Sequence, residues 1–116
     1  PLDDRDGVIW LNGDLVPSRD AKVHVLTHSL HYGNAVFEGL RVYGGKVFKT
    51  TEHSARLAKS AGMVAYDLPY TVAELDAATA AVVAANNLDS GYVRPLAWRG
   101  PEVIGVSAAG TKVHVM

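Results

Sequence analysis

Ala35-Val36-Phe37-Glu38-Gly39-Leu40-Arg41-Val42-Tyr43-Gly44-Gly45-Lys46-Val47-Phe48-Lys49 is the stretch on which the fold turns. Residues 35–43 read as a strand, Gly44-Gly45 as a tight turn that tolerates positive φ, and residues 46–49 as the returning strand. A hairpin of this kind requires antiparallel pairing. Taken as one strand, 35–43 puts Phe37, Gly39 and Arg41 on a single face, which then carries a ring, a gap and a cation. Glycine weakens a strand unless something must approach the backbone closely. Two readings follow with equal weight. One is a pocket for a small apolar acid; the other is a hairpin with Phe37 in the core, Gly39 at a bulge and Arg41 solvated.

Upstream, Val8-Ile9-Trp10-Leu11 is followed by Asn12-Gly13 and then Leu15-Val16-Pro17, a first hairpin over 8–17. Residues 19–25 are loop-like, and 27–32 suit a short helix. Downstream, Thr50 or Thr51 can cap a helix to about Ala61, with Gly62 as its stop and Leu57, Ala58 and Ala61 on one face. Thr71-Val72-Ala73-Glu74 is a capping box that opens a helix to about Asn87, with Leu75, Ala78, Val82 and Ala85 as its apolar stripe. Gly91–Arg99 reads as a strand broken at Pro95, residues 100–110 as a glycine-rich loop, and 111–116 as a last strand. The order predicts an α+β fold: an antiparallel sheet of hairpins with two helices grouped together.

Composition bounds the function. The 116 residues suffice for one domain, and 48% hydrophobic with 20% charged residues is the balance of a folded globular chain. Eleven Lys and Arg against twelve Asp and Glu give a net charge of -1, so neither nucleic acid nor an anionic membrane is an expected partner. The chain has no cysteine, which excludes a disulfide scaffold and thiolate metal ligation and suits a cytoplasmic protein. Ala77–Ala85 is too short and too weakly apolar to span a bilayer. The chain starts at Pro1 without a methionine and stops in the apolar alternation Val113-His114-Val115-Met116, so a piece of a longer protein is expected.

Four constellations could carry chemistry. His24, His28 and His31 have a spacing that would suit zinc on a helix, but no carboxylate lies among them, and histidines bonded to backbone in a polar turn are the stronger reading. The segment His31–Arg41 is the second. Arg56 is the third: it could grip a phosphate, but a surface arginine paired with Glu52 one turn earlier is the stronger reading of the residues alone. Tyr92 and Arg94 alternate onto one strand face, where a hydroxyl and a guanidinium together could hold a carboxylate or simply form an exposed face; Pro95 is compatible with either. No Rossmann or P-loop glycine spacing and no nucleophile elbow is present.

His31-Tyr32-Gly33, Val36-Phe37-Glu38-Gly39-Leu40-Arg41, His53…Arg56-Leu57 and Tyr92-Val93-Arg94-Pro95-Leu96, in this order, resemble the N-terminal part of branched-chain amino-acid aminotransferases, pyridoxal-phosphate enzymes of fold type IV. The resemblance runs from the 9–13 hairpin to Val106. It implies that Arg56 binds the cofactor phosphate, in place of the Glu52 pairing. It implies that Phe37 is an aromatic wall of the side-chain pocket, with Gly39 the small residue beside it. Tyr32 would reach a side-chain pocket, often that of a neighbouring subunit, and Val106 would be contributed across a dimer. Tyr92 would lie near the substrate α-carboxylate and Arg94 would recognise the distal carboxylate of glutamate or 2-oxoglutarate. The implied partners are branched-chain amino acids, 2-oxoglutarate and glutamate, and a second copy in a homodimer or higher homo-oligomer. The implied setting is amino-acid biosynthesis. None of Lys22, Lys46, Lys49, Lys59 and Lys112 has the context of the family's Schiff-base lysine, expected beyond Met116. Residues 1–116 are thus expected to be the small domain of a two-domain enzyme, inactive alone. Relatives acting on D-amino acids, amines or aminodeoxychorismate usually differ at the Phe37-Glu38-Gly39 core; a free-standing binding or metal module using the three histidines is the reading from another class.

Overall fold

The computed structural model describes residues 1–116. Eight short strands and three helices follow in the order β1 (Val8–Leu11), β2 (Asp14–Pro17), α1 (His28–Tyr32), β3 (Val36–Phe37), β4 (Leu40–Tyr43), β5 (Lys46–Val47), α2 (Thr50–Met63), α3 (Val72–Ala85), β6 (Gly91–Val93), β7 (Leu96–Arg99) and β8 (Val113–Val115). All strand pairs are antiparallel, and the α+β class is as expected. A single 3₁₀ turn, Ser18–Asp20, forms in the segment read as loop.

Both expected tight turns form. Asn12 and Gly13 have φ of 50° and 101° and join Leu11 to Asp14. Gly44 and Gly45, at 56° and 74°, join Tyr43 to Lys46. Positive φ at both central residues suits the right-handed twist of the flanking strands.

The break expected at Pro95 forms, and a second one, in the stretch expected to be a single strand, faces it. Residues 35–43 divide at Glu38-Gly39 into β3 and β4, and residues 91–99 divide at Arg94-Pro95 into β6 and β7. β3 pairs with β7, and β4 pairs with β6. A two-stranded ribbon therefore bends once and feeds two sheets, β3-β7-β8 and β5-β4-β6. Pro95 has no N–H with which to continue the ladder, and its carbonyl accepts from Glu38 N at 2.9 Å across the bend. Phe37 and Arg41 consequently do not share one continuous strand face.

α2 and α3 pack against each other, with α3 also meeting β1 and α2 meeting β3 and β7. Neither Thr50 nor Thr51 caps α2: the cap position is Lys49, in the left-handed conformation, without a side-chain bond. Thr51 Oγ1 and Ser54 Oγ instead donate to the two oxygens of Asp76 on α3, both at 2.6 Å. Gly62 lies inside the helix, which ends at Met63. The α3 capping box forms as expected, with Glu74 N donating to Thr71 Oγ1 at 3.1 Å and Thr71 N to Glu74 Oε1 at 3.2 Å. Leu75 is buried on α3 as expected, but the other buried residues are Thr79 and Val83, one position on from the expected Ala78 and Val82. Thr79 is acceptable there because its hydroxyl donates back to Leu75 O at 2.9 Å.

The core holds Leu57, Ala61, Tyr66, Leu75, Ala97 and Val115, with Trp10 and Tyr70 edge-on at 5.0 Å beside it. Burial pushes the Tyr66 phenol up, against smaller opposing effects of Arg99 and the Val36 backbone. It stays protonated and donates to Asn34 O and Ala97 O at 2.9 and 3.1 Å. No helix is long and apolar enough to cross a membrane.

Candidate functional site

The bend gathers the first group of residues. Arg94, just before Pro95, lays its guanidinium carbon 4.2 Å from the centre of the Phe37 ring. Its Nη2 and Nε donate to Tyr92 Oη at 2.8 and 3.2 Å. Gly39 lies against the same hydroxyl: a Cβ there would come within 2.2 Å of Tyr92 Oη. Gly39 has an unexceptional φ, so what it supplies is space. Phe37, Gly39, Tyr92 and Arg94 thus form one cluster, with the Phe37 ring 57% exposed. It offers apolar surface, a cation and a hydroxyl within one side-chain length. Arg41, beyond the bend, stands over the Tyr43 ring at 5.5 Å instead.

The second group lies on the other side of Phe37's neighbour. His53 and Arg56 occupy one face of α2, three residues apart, and both reach Glu38. Arg56 Nε donates to Glu38 Oε2 and Oε1 at 2.9 and 3.0 Å, and Nη2 to Oε1 at 2.8 Å. His53 Nδ1 donates to Oε1 at 2.6 Å. The Glu38 side chain is 4% exposed, whereas that of Arg56 is 64% exposed. The Arg56 hydrogen bonds hold the Glu38 carboxyl below the usual range, against its desolvation and with help from His53. Glu38 in turn raises the Arg56 guanidinium. Arg56 therefore does not pair with Glu52. No sequence signal marked Glu38 for burial, since an acid in a strand pattern reads as solvated.

The third group is α1 with the loop at 100–112. Tyr32, half-exposed, packs against His28 with ring centres 4.5 Å apart and the planes tilted by 42°. His28 Nε2 donates to Gly105 O at 3.0 Å, which places the loop bearing Val106 beside α1. Val106 projects into solvent and is 84% exposed. No hydrogen bond or ring contact joins Tyr32 to Phe37 or Arg94 within the chain. The loop is tied at its ends by Glu102, which accepts from Lys112 N and His114 Nε2, both at 2.7 Å. His24 Nδ1 accepts from Leu26 N at 3.1 Å and His31 Nε2 donates to Val25 O at 2.8 Å. The three histidines thus serve backbone and loop, and no three His, Asp or Glu side chains converge as a metal site.

Of the expected site residues, the structure joins Phe37, Gly39, Tyr92 and Arg94. It sets Arg56 one residue along the chain from them through Glu38, and leaves Tyr32 and Val106 on the surface of α1 and its loop.

The chain is 50% identical to the branched-chain-amino-acid aminotransferase of Pseudomonas aeruginosa over 97% of its own length, and spans 38% of that protein. The Escherichia coli branched-chain amino acid aminotransferase structure superposes with a TM-score of 0.89 at 41% identity, covering 96% of this chain and 38% of that one. The branched-chain amino acid aminotransferase of Thermobaculum terrenum, solved in its PLP-form, gives 0.76 at 26% identity, covering 95% of this chain and 38% of that one. Residues 35–116, which carry the bend, α2, α3 and the Phe37 and Arg56 clusters, match amino-transferase class IV, and the chain belongs to that family.

Proposed function

We propose that the protein is a branched-chain amino-acid transaminase, transferring the amino group of leucine, isoleucine or valine to 2-oxoglutarate with pyridoxal 5'-phosphate as cofactor. Residues 1–116 are read as its small N-terminal domain. The observation that carries the reading is Arg94 laid over Phe37 and bonded to Tyr92. A transaminase of this kind must accept in one pocket first an aliphatic side chain and then a chain ending in carboxylate. The Phe37 ring suits the first, and the Arg94 guanidinium with the Tyr92 hydroxyl suits the second. Discrimination among aliphatic chains by such a wall is worth about 1–3 kcal/mol per methylene.

The residues present fit the phosphate of the cofactor. Arg56 is largely exposed, and its Nη1 makes no hydrogen bond within the chain. When bound, the cofactor supplies an electron sink for carbanion character at the amino-acid Cα. This chain's part is to hold the phosphate through Arg56, to wall the pocket with Phe37 and Tyr92, and to grip the distal carboxylate through Arg94. No lysine is assigned the Schiff-base role; Lys49 lies over the Phe48 ring. Tyr32 and Val106 are assigned to a pocket completed across a homodimer in the cytoplasm. Exposed Val25, Leu26, Leu30 and Ile104 around the His28–Gly105 bond support a covering surface there.

The test is transamination by the full-length enzyme across amino donors. Leucine, isoleucine and valine should be preferred, and residues 1–116 alone should give no turnover. Preference for a D-amino acid or an aromatic amine would overturn the assignment in favour of another member of the fold. Pyruvate release from aminodeoxychorismate would do the same.

A further inference from the structure

Glu38 is a buried carboxylate with no role in the reading above. It lies between two pocket residues, Phe37 and Gly39. Its main chain is fixed by the 2.9 Å bond to Pro95 O, and its side chain is 4% exposed. Arg56 and His53 reach it from α2, Arg56 with Nε and Nη2 and His53 with Nδ1. A carboxylate only accepts, so these contacts leave Arg56 Nη1 and His53 Nε2 without partners in the chain. A free arginine side chain is long and samples many rotamers; this one is held by its inner edge, with its outer edge bare.

We propose that Glu38 is a positioning residue, fixing the Arg56 guanidinium before any ligand arrives so that its outer edge receives a phosphate dianion, with His53 bracing the same carboxylate. The proposal rests on Arg56 being the phosphate anchor. Two physical effects of Glu38 oppose each other. Its negative charge weakens the pull of Arg56 on an anion. Its hydrogen bonds spare the complex the entropy of ordering a long side chain and set the fork geometry. Positioning exceeds charge here, because the carboxylate is the buried, immobile partner and the arginine the exposed one.

The opposition of sign makes a clean experiment. Dissociation constants of pyridoxal 5'-phosphate and of pyridoxal, which lacks the phosphate, are measured on the full-length apoenzyme by absorbance titration. Wild type, Glu38→Gln, Arg56→Ala and the double variant are compared. Glu38→Gln keeps the shape and removes the charge. Positioning predicts that it weakens pyridoxal 5'-phosphate about tenfold or more and leaves pyridoxal unchanged, with no further loss when added to Arg56→Ala. Unchanged or tighter binding of pyridoxal 5'-phosphate in Glu38→Gln, with Arg56→Ala still impaired, overturns the proposal and leaves Arg56 as the anchor. Equal weakening of both ligands by Glu38→Gln also overturns it, since the effect is then structural. An Arg56→Ala enzyme that still discriminates the phosphate as wild type does overturns the underlying reading itself. Should Glu38→Gln not fold, Glu38→Asp gives the same comparison, keeping charge while withdrawing the carboxylate by one methylene. Weakening confined to the phosphate ligand supports positioning there too, and unchanged affinity refutes it.

Discussion

At the scale of single residues, Gly39 and Glu38 show how differently two neighbours can be tied to one site. Gly39 is required for what it lacks. A methyl there would meet Tyr92 Oη at 2.2 Å and the ring carbon behind it at 2.9 Å. The ring must then swing and take with it the acceptor of Arg94. Under the proposed function, Gly39→Ala in the full-length enzyme is expected to fold, to lower kcat/KM for 2-oxoglutarate about tenfold or more, and to shift the thermal midpoint little, since the displaced ring is half-exposed. Steady-state kinetics beside a melting curve check both halves. Glu38 is required for its charge state. Its folded carboxyl is held below the ordinary value of about 4.3, so its contribution to stability is complete above that pH and is lost as pH falls further. Melting temperatures followed from about pH 6 down to 3 should fall more steeply in wild type than in Glu38→Gln. The family resemblance singles out Phe37, Gly39, Tyr92, Arg94 and Arg56; from its own surroundings in the sequence Arg56 reads as a surface partner of Glu52. The partner of Arg56 was not visible, because a contact 18 residues distant depends on how the ribbon bends.

At the scale of elements, local rules succeeded where a signal is chemical and failed where tertiary partners compete for it. Thr71 and Glu74 satisfy each other's N–H groups, and nothing else nearby claims them. Thr71→Ala is expected to cost about 1 kcal/mol, read as a lowered urea midpoint at unchanged m-value. Thr51 has the same hydroxyl, but Asp76 on α3 takes it, and α2 starts from a left-handed Lys49 instead. The stripe of α3 is alanine-rich on several faces, so periodicity alone could not choose among them; packing against α2 and β1 selected Leu75, Thr79 and Val83. Pro95 announced a break in its own strand. That Gly39 breaks the opposite strand at the same level follows only once the two are paired.

At the scale of the whole molecule, asparagine side chains tie the first hairpin to the last strand and to the end of α3. Asn12, at the tip of the first hairpin, accepts from Val115 N through Oδ1 at 2.9 Å and donates from its own backbone N–H to Val115 O at 2.9 Å. Its Nδ2 also donates to His114 Nδ1 at 2.9 Å. Asn86 clamps Val8 from α3 with two further bonds at 2.9 and 3.0 Å. Asn12→Gly keeps the left-handed turn and loses only the side-chain bonds, for about 1–2 kcal/mol. Asn12→Ala adds the cost of φ near +50° and is expected to lose about 1 kcal/mol more. Chemical denaturation of the two variants separates the contributions.

The bend at residues 38 and 39 has a consequence for how such an enzyme can change. Under the proposed assignment, the residues that choose the substrate flank the residue that steadies the cofactor's anchor. A substitution that reshapes the wall for a bulkier side chain moves the backbone on which Glu38 is hung. Substrate range and cofactor retention are then linked traits. Variants selected for broader specificity at Phe37 or Gly39 should need more added cofactor to stay loaded, and compensating changes should arise on α2 around His53 and Arg56, not in the pocket itself.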